Sequence, residues 1–259
     1  MIRLLIAGLI VVTVVFGLWF VVITDEMVIG MIQNSVADGD MKVEIETFKK
    51  GLFFTFTSPH IALTKSGRPL IMMDDVAAQV NPLNLLTGRP PVKFRGDLGG
   101  GRINGEIGLF KGGTTDFRLD GANIAEIPFF RLIGLEGRGA LSGELKTRGT
   151  TGDIKFTVKD TRLRTASFGG VPVPLEIFRE AKGAMTLEGP TLSIVSFTME
   201  GEGIYARIRG KIAGKTLNVT LELMPDASFR GEAIMLAALT NYKVSPGYYV
   251  IPITKTLAL

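Results

Sequence analysis

The residue types that most often carry out catalysis or bind metals are scarce in this chain of 259 residues. Cysteine is absent, which excludes disulfides, cysteine-based zinc sites and thiol catalysis. His60 is the sole histidine, so a metal site with two histidines is excluded and a Ser-His triad would depend on this one residue. A lone histidine that follows Pro59 at the start of a strand is more often structural or exposed than catalytic, and we expect that of His60.

The acidic and glycine-rich motifs also lack the spacing that chemistry requires. Asp38 and Asp40 resemble the start of a calcium loop, but no glutamate stands at the twelfth position of that loop. The run at Gly99–Gly101 lacks the third glycine of a dinucleotide-binding motif. Ser142 has the wrong glycine spacing for a hydrolase nucleophile, and Asp74-Asp75 is more typical of an exposed turn or edge. The sequence therefore predicts a protein that is not an enzyme and that has no metal site and no cofactor.

The longest uncharged run lies near the N-terminus and predicts a membrane anchor. Leu4–Ile23 is twenty residues long, and at 1.5 Å per residue a helix of this length spans ~30 Å, the thickness of the hydrocarbon core. A cleaved signal peptide has a shorter apolar core and a small-residue cleavage site, and a buried core helix normally keeps a polar stripe. We therefore predict one uncleaved transmembrane helix, represented by Leu4, Ile10, Val15, Trp19 and Ile23.

The charges that flank this run predict its orientation. Arg3 precedes the run, and Asp25 and Glu26 follow it, so the positive-inside rule leaves the N-terminus in the cytoplasm and the body outside. Residues 1–25 are then a cytoplasmic stub with the anchor, and residues 26–259 are one water-facing body. The net charge of +4 suits anionic lipid headgroups or an acidic partner, although a solvated strand face explains the basic residues equally well. Nucleic acid is disfavoured as a partner by this location.

Alternating apolar and polar residues predict that the body is mainly β. Such alternation indicates half-buried strands, and glycine-rich joints separate the segments, as expected of a large antiparallel sheet. Within Thr191–Met199 the pattern places Leu192 and Ile194 on one face, and Val195 and Phe197 on the other. Glycine, at 32 of 259 residues, would let the sheet curve into an open gutter. The candidate residues for an apolar groove, or for a filled core face, are Ile204, Ile208, Leu217, Val219, Leu221 and Leu223.

A few short helices are expected beside the strands. The segments 82–86, 123–133 and 174–181 have helical spacing of apolar residues, and the second has Asn123 as a candidate N-cap. Residues 229–242 are the longest helix candidate after the anchor. A last strand is expected at Tyr248–Ile253, and because Pro252 cannot donate a ladder hydrogen bond, we expect it at an edge of the sheet.

Several motifs resemble those of one group of bacterial envelope proteins. The segment at 80–90, followed by glycine-rich strands at 94–107, resembles AsmA-like envelope proteins. One branch, the type II secretion system protein N (GspN) family, is similar over nearly the whole chain. The segments that carry this similarity are 127–129 with 135–145, 168–174, 200–203, 221–225 and 247–253. The resemblance implies an anchor in the inner membrane, a periplasmic β body and association with a secretion machine, and it supplies no catalytic residues.

Two functions remain open from the sequence. The first is a non-enzymatic accessory or scaffold component of the type II secretion system, with other secretion-system subunits as partners. The second is an AsmA-like protein that binds or transfers lipid, with acyl chains against the apolar face of the sheet. Whether helices fill that face distinguishes a core from a lipid groove.

Overall fold

The computed structural model of the chain describes residues 24–36, 40–52, 54–81, 91–108, 112–168, 171–229, 237 and 239–256. The predicted transmembrane segment at 4–23 and the predicted helical turn at 82–86 lie outside these residues, as does most of the predicted helix at 229–242. Among the helices that are described, none combines the length and the apolar character needed to cross a bilayer.

The described residues form strands with a few short helices. The strands are β1 (Met41–Glu46), β2 (Lys49–Lys50), β3 (Thr55–Lys65), β4 (Arg68–Val80), β5 (Pro91–Leu98), β6 (Gly101–Gly108), β7 (Thr114–Asn123), β8 (Gly137–Arg148), β9 (Thr151–Leu163), β10 (Ala166–Phe168), β11 (Val171–Val173), β12 (Phe178–Glu188), β13 (Thr191–Gly201), β14 (Ile204–Ala213), β15 (Thr216–Pro225), β16 (Lys243–Ser245) and β17 (Tyr248–Thr256). The α-helices are α1 (Asp25–Val36) and α2 (Pro128–Leu132), and the 3-10 helices are Ile124–Glu126, Leu175–Ile177 and Thr240–Tyr242.

One open antiparallel sheet of 15 strands contains all of these strands except β10 and β11. Its order is β1-β3-β4-β5-β6-β7-β8-β9-β12-β13-β14-β15-β17-β16, and β2 also pairs with β3. Neighbouring long strands are nearly all consecutive in the chain, so most connections are hairpins. The small β10–β11 hairpin is inserted between β9 and β12. The prediction of a mainly β protein with a large antiparallel sheet is confirmed.

Strands β14 and β15 have the phase that their alternation predicts. Ile208 lies directly opposite Leu221, and Arg207 lies directly opposite Glu222. Residues that are directly opposite in an antiparallel pair point to the same face of the sheet, so the apolar residues of both strands share one face. Leu221 is fully buried on that face.

The faces predicted for the residues of β13 are partly wrong, because this strand contains a bulge. Ile194 pairs with Met185 and Phe197 pairs with Gly183, so Val195 is an extra residue in the ladder with β12. This extra residue shifts the alternation by one, and Ile194 and Phe197 therefore share the apolar face instead of lying on opposite faces. Val195 is 58% exposed, as expected for the residue that the bulge turns outward.

The helix predicted at 123–133 is present as two short helices. The Asn123 side chain accepts a hydrogen bond from the Ala125 N–H, which confirms the predicted N-cap. A 3-10 turn follows at Ile124–Glu126, and α2 begins at Pro128. The residue before a proline avoids the helical region, and Ile127 is accordingly extended with φ −94° and ψ 110°.

The helix predicted at 174–181 is wrong beyond its first turn. The 3-10 turn Leu175–Ile177 is present, but Phe178 and Ala181 belong to β12. Both are buried three residues apart because the ladder with β13 shifts register between Phe178 and Glu180. One extra residue in a strand gives a spacing of three on one face, which resembles a helical period.

Helix α1 was not expected from the sequence, although its first turn carries recognisable signals. Asp25 and Glu26 stand in the first turn, where negative charge suits the helix dipole, and the Met27 N–H donates to Thr24 Oγ1 at 3.3 Å. The helix packs against β1, and Gln33 Nε2 donates to the Val43 carbonyl at 3.1 Å. This helix covers the start of the sheet.

The predicted edge location of the last strand holds in part, because β16 and not β17 is the outermost strand at this end of the sheet. β17 pairs with β15 from Leu223↔Tyr249 to Thr216↔Thr256. On its other side, β17 pairs within the described residues with β16 alone, at Tyr248 and Tyr249. The rest of that side, including Pro252, has no strand beside it in the described part of the chain.

We predict that Leu221→Asp destabilises the protein far more than Thr220→Asp does. Leu221 is fully buried, and an unpaired carboxylate there should lower the free energy of unfolding by about 4 kcal/mol or more. Thr220 is half-buried on the polar face, opposite Arg209, and its replacement should change that free energy by about 1 kcal/mol or less. Thermal unfolding followed by circular dichroism measures both, and equal losses would mean that the assigned face is wrong.

Candidate functional site: the apolar face of the sheet

Apolar residues and glycines run in rows across the sheet. One row crosses six strands, from β9 to β17, through residues that are directly opposite in successive pairs. It consists of Phe156, Gly183, Phe197, Ile208, Leu221 and Ile251. Directly opposite residues share a face, so the row belongs to one continuous apolar face.

Glycine alternates with phenylalanine in this row for a steric reason. A Cβ placed on Gly183 would lie 2.3 Å from Cε1 and Cζ of Phe156, so the Phe156 ring occupies the space of the missing side chain. The rings of Phe156 and Phe197 pack with centroids 5.8 Å apart on either side of that glycine. Gly105 lies between Phe94 and Phe117 in the same manner, and a Cβ there would lie 2.5 Å from the Phe117 Cβ.

The apolar face is closed at one end of the strands. The turn at Leu175–Ile177 packs against β9, and the turn at Thr240–Tyr242 packs against β17. Leu175 and Leu239 are 2% and 0% exposed, and they belong to the same core cluster as Leu221 and Ile251. This part of the face is therefore a filled core.

Towards the other end of the strands the same face is less covered. Seven apolar residues there are half-buried and lie outside the hydrophobic clusters formed by the described residues. We name them the open segment: Ile107, Leu145, Ile154, Met185, Leu187, Leu192 and Ile212. Cross-strand register places them together, since Leu145 faces Ile154, Ile154 faces Met185, and Leu187 faces Leu192.

All six candidate residues of the sequence analysis belong to the filled core or pack against it, and none lies in the open segment. Ile204, Val219, Leu221 and Leu223 are buried in the largest core cluster, and Ile208 and Leu217 are half-buried and pack against it. None of the residues of the open segment was among the groove candidates predicted from the sequence, although Leu192 was assigned to one face of its strand. The alternation along β9 and β13 indicated the faces on which Ile154 and Leu192 lie. Which residues of neighbouring strands become opposite each other depends on the bulges, and no local sequence pattern reveals these.

The opposite face of the sheet is polar, and many of its charges are paired across strands. Arg118 faces Glu144, Asp116 faces Lys146, and Arg207 faces Glu222. The Lys146 Nζ to Asp116 Oδ2 distance is 3.6 Å, and both Arg207 Nε and Nη2 donate to Glu222 Oε2. Charges of opposite sign in register support the sheet on its wet side.

The perturbed pKa values on this face follow from the same pairs. The hydrogen bond and the charge of Arg118 hold the pKa of Glu144 below its usual range. The hydrogen bond to Glu222 raises the pKa of Arg207. Arg207 is therefore paired, whereas Arg209 and Lys211 are exposed on the same face.

The residues that the sequence analysis weighed as catalytic or metal-binding candidates make hydrogen bonds within the sheet and its turns. His60 Nδ1 lies 2.8 Å from Asp74 Oδ1 across the β3–β4 pair. The Ser58 hydroxyl lies 2.5 Å and 2.8 Å from the carbonyl oxygens of Glu46 and His60, so it is oriented towards the backbone and not towards the imidazole. Asp40 Oδ2 accepts a hydrogen bond from Ser66, and Asp38 lies outside the described residues. Within the described ranges, His, Asp and Glu form no group of three or more that could hold a metal.

Comparisons of the chain with protein-family models, with curated proteins and with solved structures give no match.

We predict that Gly183→Ala lowers the free energy of unfolding by about 1–3 kcal/mol, because the added Cβ overpacks a row in which Phe156 already fills the space. Gly30→Ala in α1 is the matched control. No atom lies within 4 Å of its new Cβ, and alanine favours a helix, so this variant should gain about 0.5–1 kcal/mol. Urea unfolding measures both. Phe156→Leu should restore part of the Gly183→Ala loss, and a Gly183→Ala variant as stable as the parent would contradict the packing.

We predict that Arg207→Met lowers the melting temperature by several degrees and that Arg209→Met has little effect. Arg207 neutralises Glu222, whose side chain is 10% exposed, whereas Arg209 is exposed on the same strand. Without its cation, the Glu222 carboxylate is left nearly buried and unpaired, which destabilises the folded state. Melting curves of both variants at pH 7 test this difference, and equal losses in Arg207→Met and Arg209→Met would contradict it.

Proposed function

We propose that the protein is a non-enzymatic accessory component of the type II secretion system, anchored in the inner membrane with its β body in the periplasm. The body acts as a scaffold, and other secretion-system subunits bind along the edge of its sheet. The observation that carries this proposal is the long open meander, which offers the outer side of β17 for strand addition.

The positions of the family-like motifs support this proposal. The motif at 221–225 ends β15, and the motif at 247–253 forms the first part of β17. They lie side by side, with Leu221 opposite Ile251 and Leu223 opposite Tyr249. Two segments that resemble the same family but stand 21 residues apart thus pair with each other near one edge of the sheet.

The edge itself is suited to pairing with another chain. Ile251 is fully buried on the apolar face and holds β17 to β15, which keeps the strand in place without a further neighbour. Thr254 and Thr256 are exposed at the C-terminal part of the strand. An added strand would satisfy the outward backbone groups of β17, as in β-augmentation.

Site-specific photocrosslinking in the native host tests the scaffold proposal. A benzoylphenylalanine at Thr254 should crosslink to a secretion-system subunit identified by mass spectrometry, while the same group at Lys155, exposed in the middle of the polar face, should not. Deletion of the gene should reduce secretion of a type II substrate. Normal secretion together with no subunit crosslinked at Thr254 would refute the proposal.

A second candidate function, lipid binding, is favoured by the open segment. The half-buried residues Ile154, Met185 and Leu187 form part of an apolar surface that would gain about 25 cal/mol for each Å² that acyl chains cover. We infer that the sheet curves into a gutter with this face inward, since glycines such as Gly105 and Gly183 permit bending where they alternate with phenylalanine. Such a body would bind lipid as AsmA-like proteins are expected to do, and it remains compatible with a scaffold role.

Adjacent positions on opposite faces test lipid binding. In cells, benzoylphenylalanine at Met185 should form a phospholipid adduct after irradiation, because Met185 belongs to the open segment. The same group at Ala184 should form none, because Ala184 faces Lys155 and Ser196 on the polar side. Equal adducts at both positions, or none at Met185, would reject the lipid groove.

A further inference from the structure

A surface cavity of about 480 Å³ lies near the closed end of the sheet and is lined by arginines. Its walls come from the 3-10 turn at Ile124–Glu126, from α2, from the loop that leads into β8, and from the end of β9. The charged residues around it are Arg131, Arg138, Arg162, Arg164 and Glu136. Four positive charges against one negative charge leave a net charge of about +3, which favours an anion.

The register of β8 and β9 places two of these arginines together. Arg138 and Arg162 are directly opposite each other, and so their Cβ atoms are about 4.5–5.5 Å apart. Like charges in this position destabilise a sheet, and an anion beside them would offset their repulsion. The next pair is Gly137 and Leu163, where a Cβ on Gly137 would lie 2.4 Å from the Arg162 carbonyl oxygen. A glycine is therefore required for the close approach that forms this wall.

Most of this positive charge is uncompensated within the described residues. Arg164 Nη1 pairs with Glu136 Oε2 at 2.7 Å, but Arg131, Arg138 and Arg162 form no ion pair in the described part of the chain. Elsewhere on the polar face, like charges have compensation. Glu106 and Asp116 face each other, and each also faces a lysine on the strand beyond.

Apolar side chains are exposed next to the cavity. Phe129, Leu132 and Ile133 are 36%, 39% and 43% exposed, and they flank Arg131 on α2 and just after it. Phe130, by contrast, packs inward against two core clusters. An exposed apolar turn beside clustered arginines is a combination that suits an amphiphile with an anionic head.

We infer that this cavity is a binding site for a phosphate group, and that the exposed turn at 129–133 favours a phosphate carried by a lipid headgroup. Guanidinium groups donate paired hydrogen bonds to phosphate oxygens, and four arginines line this cavity. The volume of the cavity is in the range of small-ligand sites and leaves room for substituents on the phosphate. The site is distinct from the edge strand β17 and from the open segment, so its failure would leave the proposed functions untouched.

The test uses the full-length protein in a non-ionic detergent at fixed ionic strength, with Arg138→Gln as the variant and Arg209→Gln as the control. Arg209 is exposed on β14, away from the cavity. The first ligand is inorganic phosphate, and the second is dihexanoyl phosphatidylglycerol below its micelle concentration, with dihexanoyl phosphatidylcholine as the zwitterionic comparison. Calorimetry gives the affinity, and the melting temperature without ligand confirms that each variant folds.

Loss of one charged hydrogen-bond partner should weaken binding by about tenfold or more in Arg138→Gln and leave Arg209→Gln unchanged. Without ligand, Arg138→Gln should melt no lower than the parent, because it removes a like-charge contact. A second variant, Leu132→Ser with Ile133→Ser, should weaken the binding of phosphatidylglycerol and leave that of inorganic phosphate unchanged.

Binding of inorganic phosphate that depends on Arg138 supports the site with a free phosphate as ligand. Binding of phosphatidylglycerol that depends on Arg138 and exceeds that of phosphatidylcholine supports a lipid headgroup. Absence of binding by both anions overturns the inference, as does an equal loss in Arg138→Gln and Arg209→Gln.

Discussion

Antiparallel register is the constraint on which the rest of this structure depends. Each strand carries apolar residues on one face, and pairing with its neighbour must keep that face aligned across one sheet of 15 strands. A slip of one residue would exchange the faces of a strand. The extra residues at Arg179 in β12 and at Val195 in β13 are therefore part of the fold, because each restores the phase where the sequence pattern breaks. With the phase kept, Phe156, Phe197 and Leu221 fall into one row.

What packs on the apolar face determines which parts of it are buried core and which remain accessible. Where turns such as Leu175–Ile177 and residues such as Leu239 pack on it, the apolar face is a filled core with side chains that are almost completely buried. Where no described helix packs on it, the same face continues into half-buried residues such as Met185. The burial of the apolar face therefore changes along each strand and not from one strand to the next. Nearly every long strand therefore contributes both to the core and to the less covered surface.

The sequence predicted the features that depend on neighbours in the chain. The alternation in β14 and β15, the N-cap at Asn123 and the last strand at Tyr248 are all local signals, and the structure has them. Features that depend on pairing between distant residues were missed. The bulge at Val195 inverted the predicted face of Phe197, and the open segment and the arginine cavity exist because register brings residues from different strands together.

The charged residues on most of the polar face and those around the cavity are arranged differently. On the polar face, pairs such as Arg118 with Glu144 neutralise each other across adjacent strands, and this arrangement stabilises the sheet without a ligand. In the cavity, Arg138 faces Arg162, and the single carboxylate, Glu136, already pairs with Arg164. Within the β8–β9 hairpin, Glu144 faces Lys155 and Lys146 faces Asp153 towards one end, whereas Arg138 faces Arg162 towards the other. A hairpin that balances its charges along most of its length and leaves two arginines unbalanced at one end, beside Arg131 of α2, has a local excess of positive charge that would attract an anion.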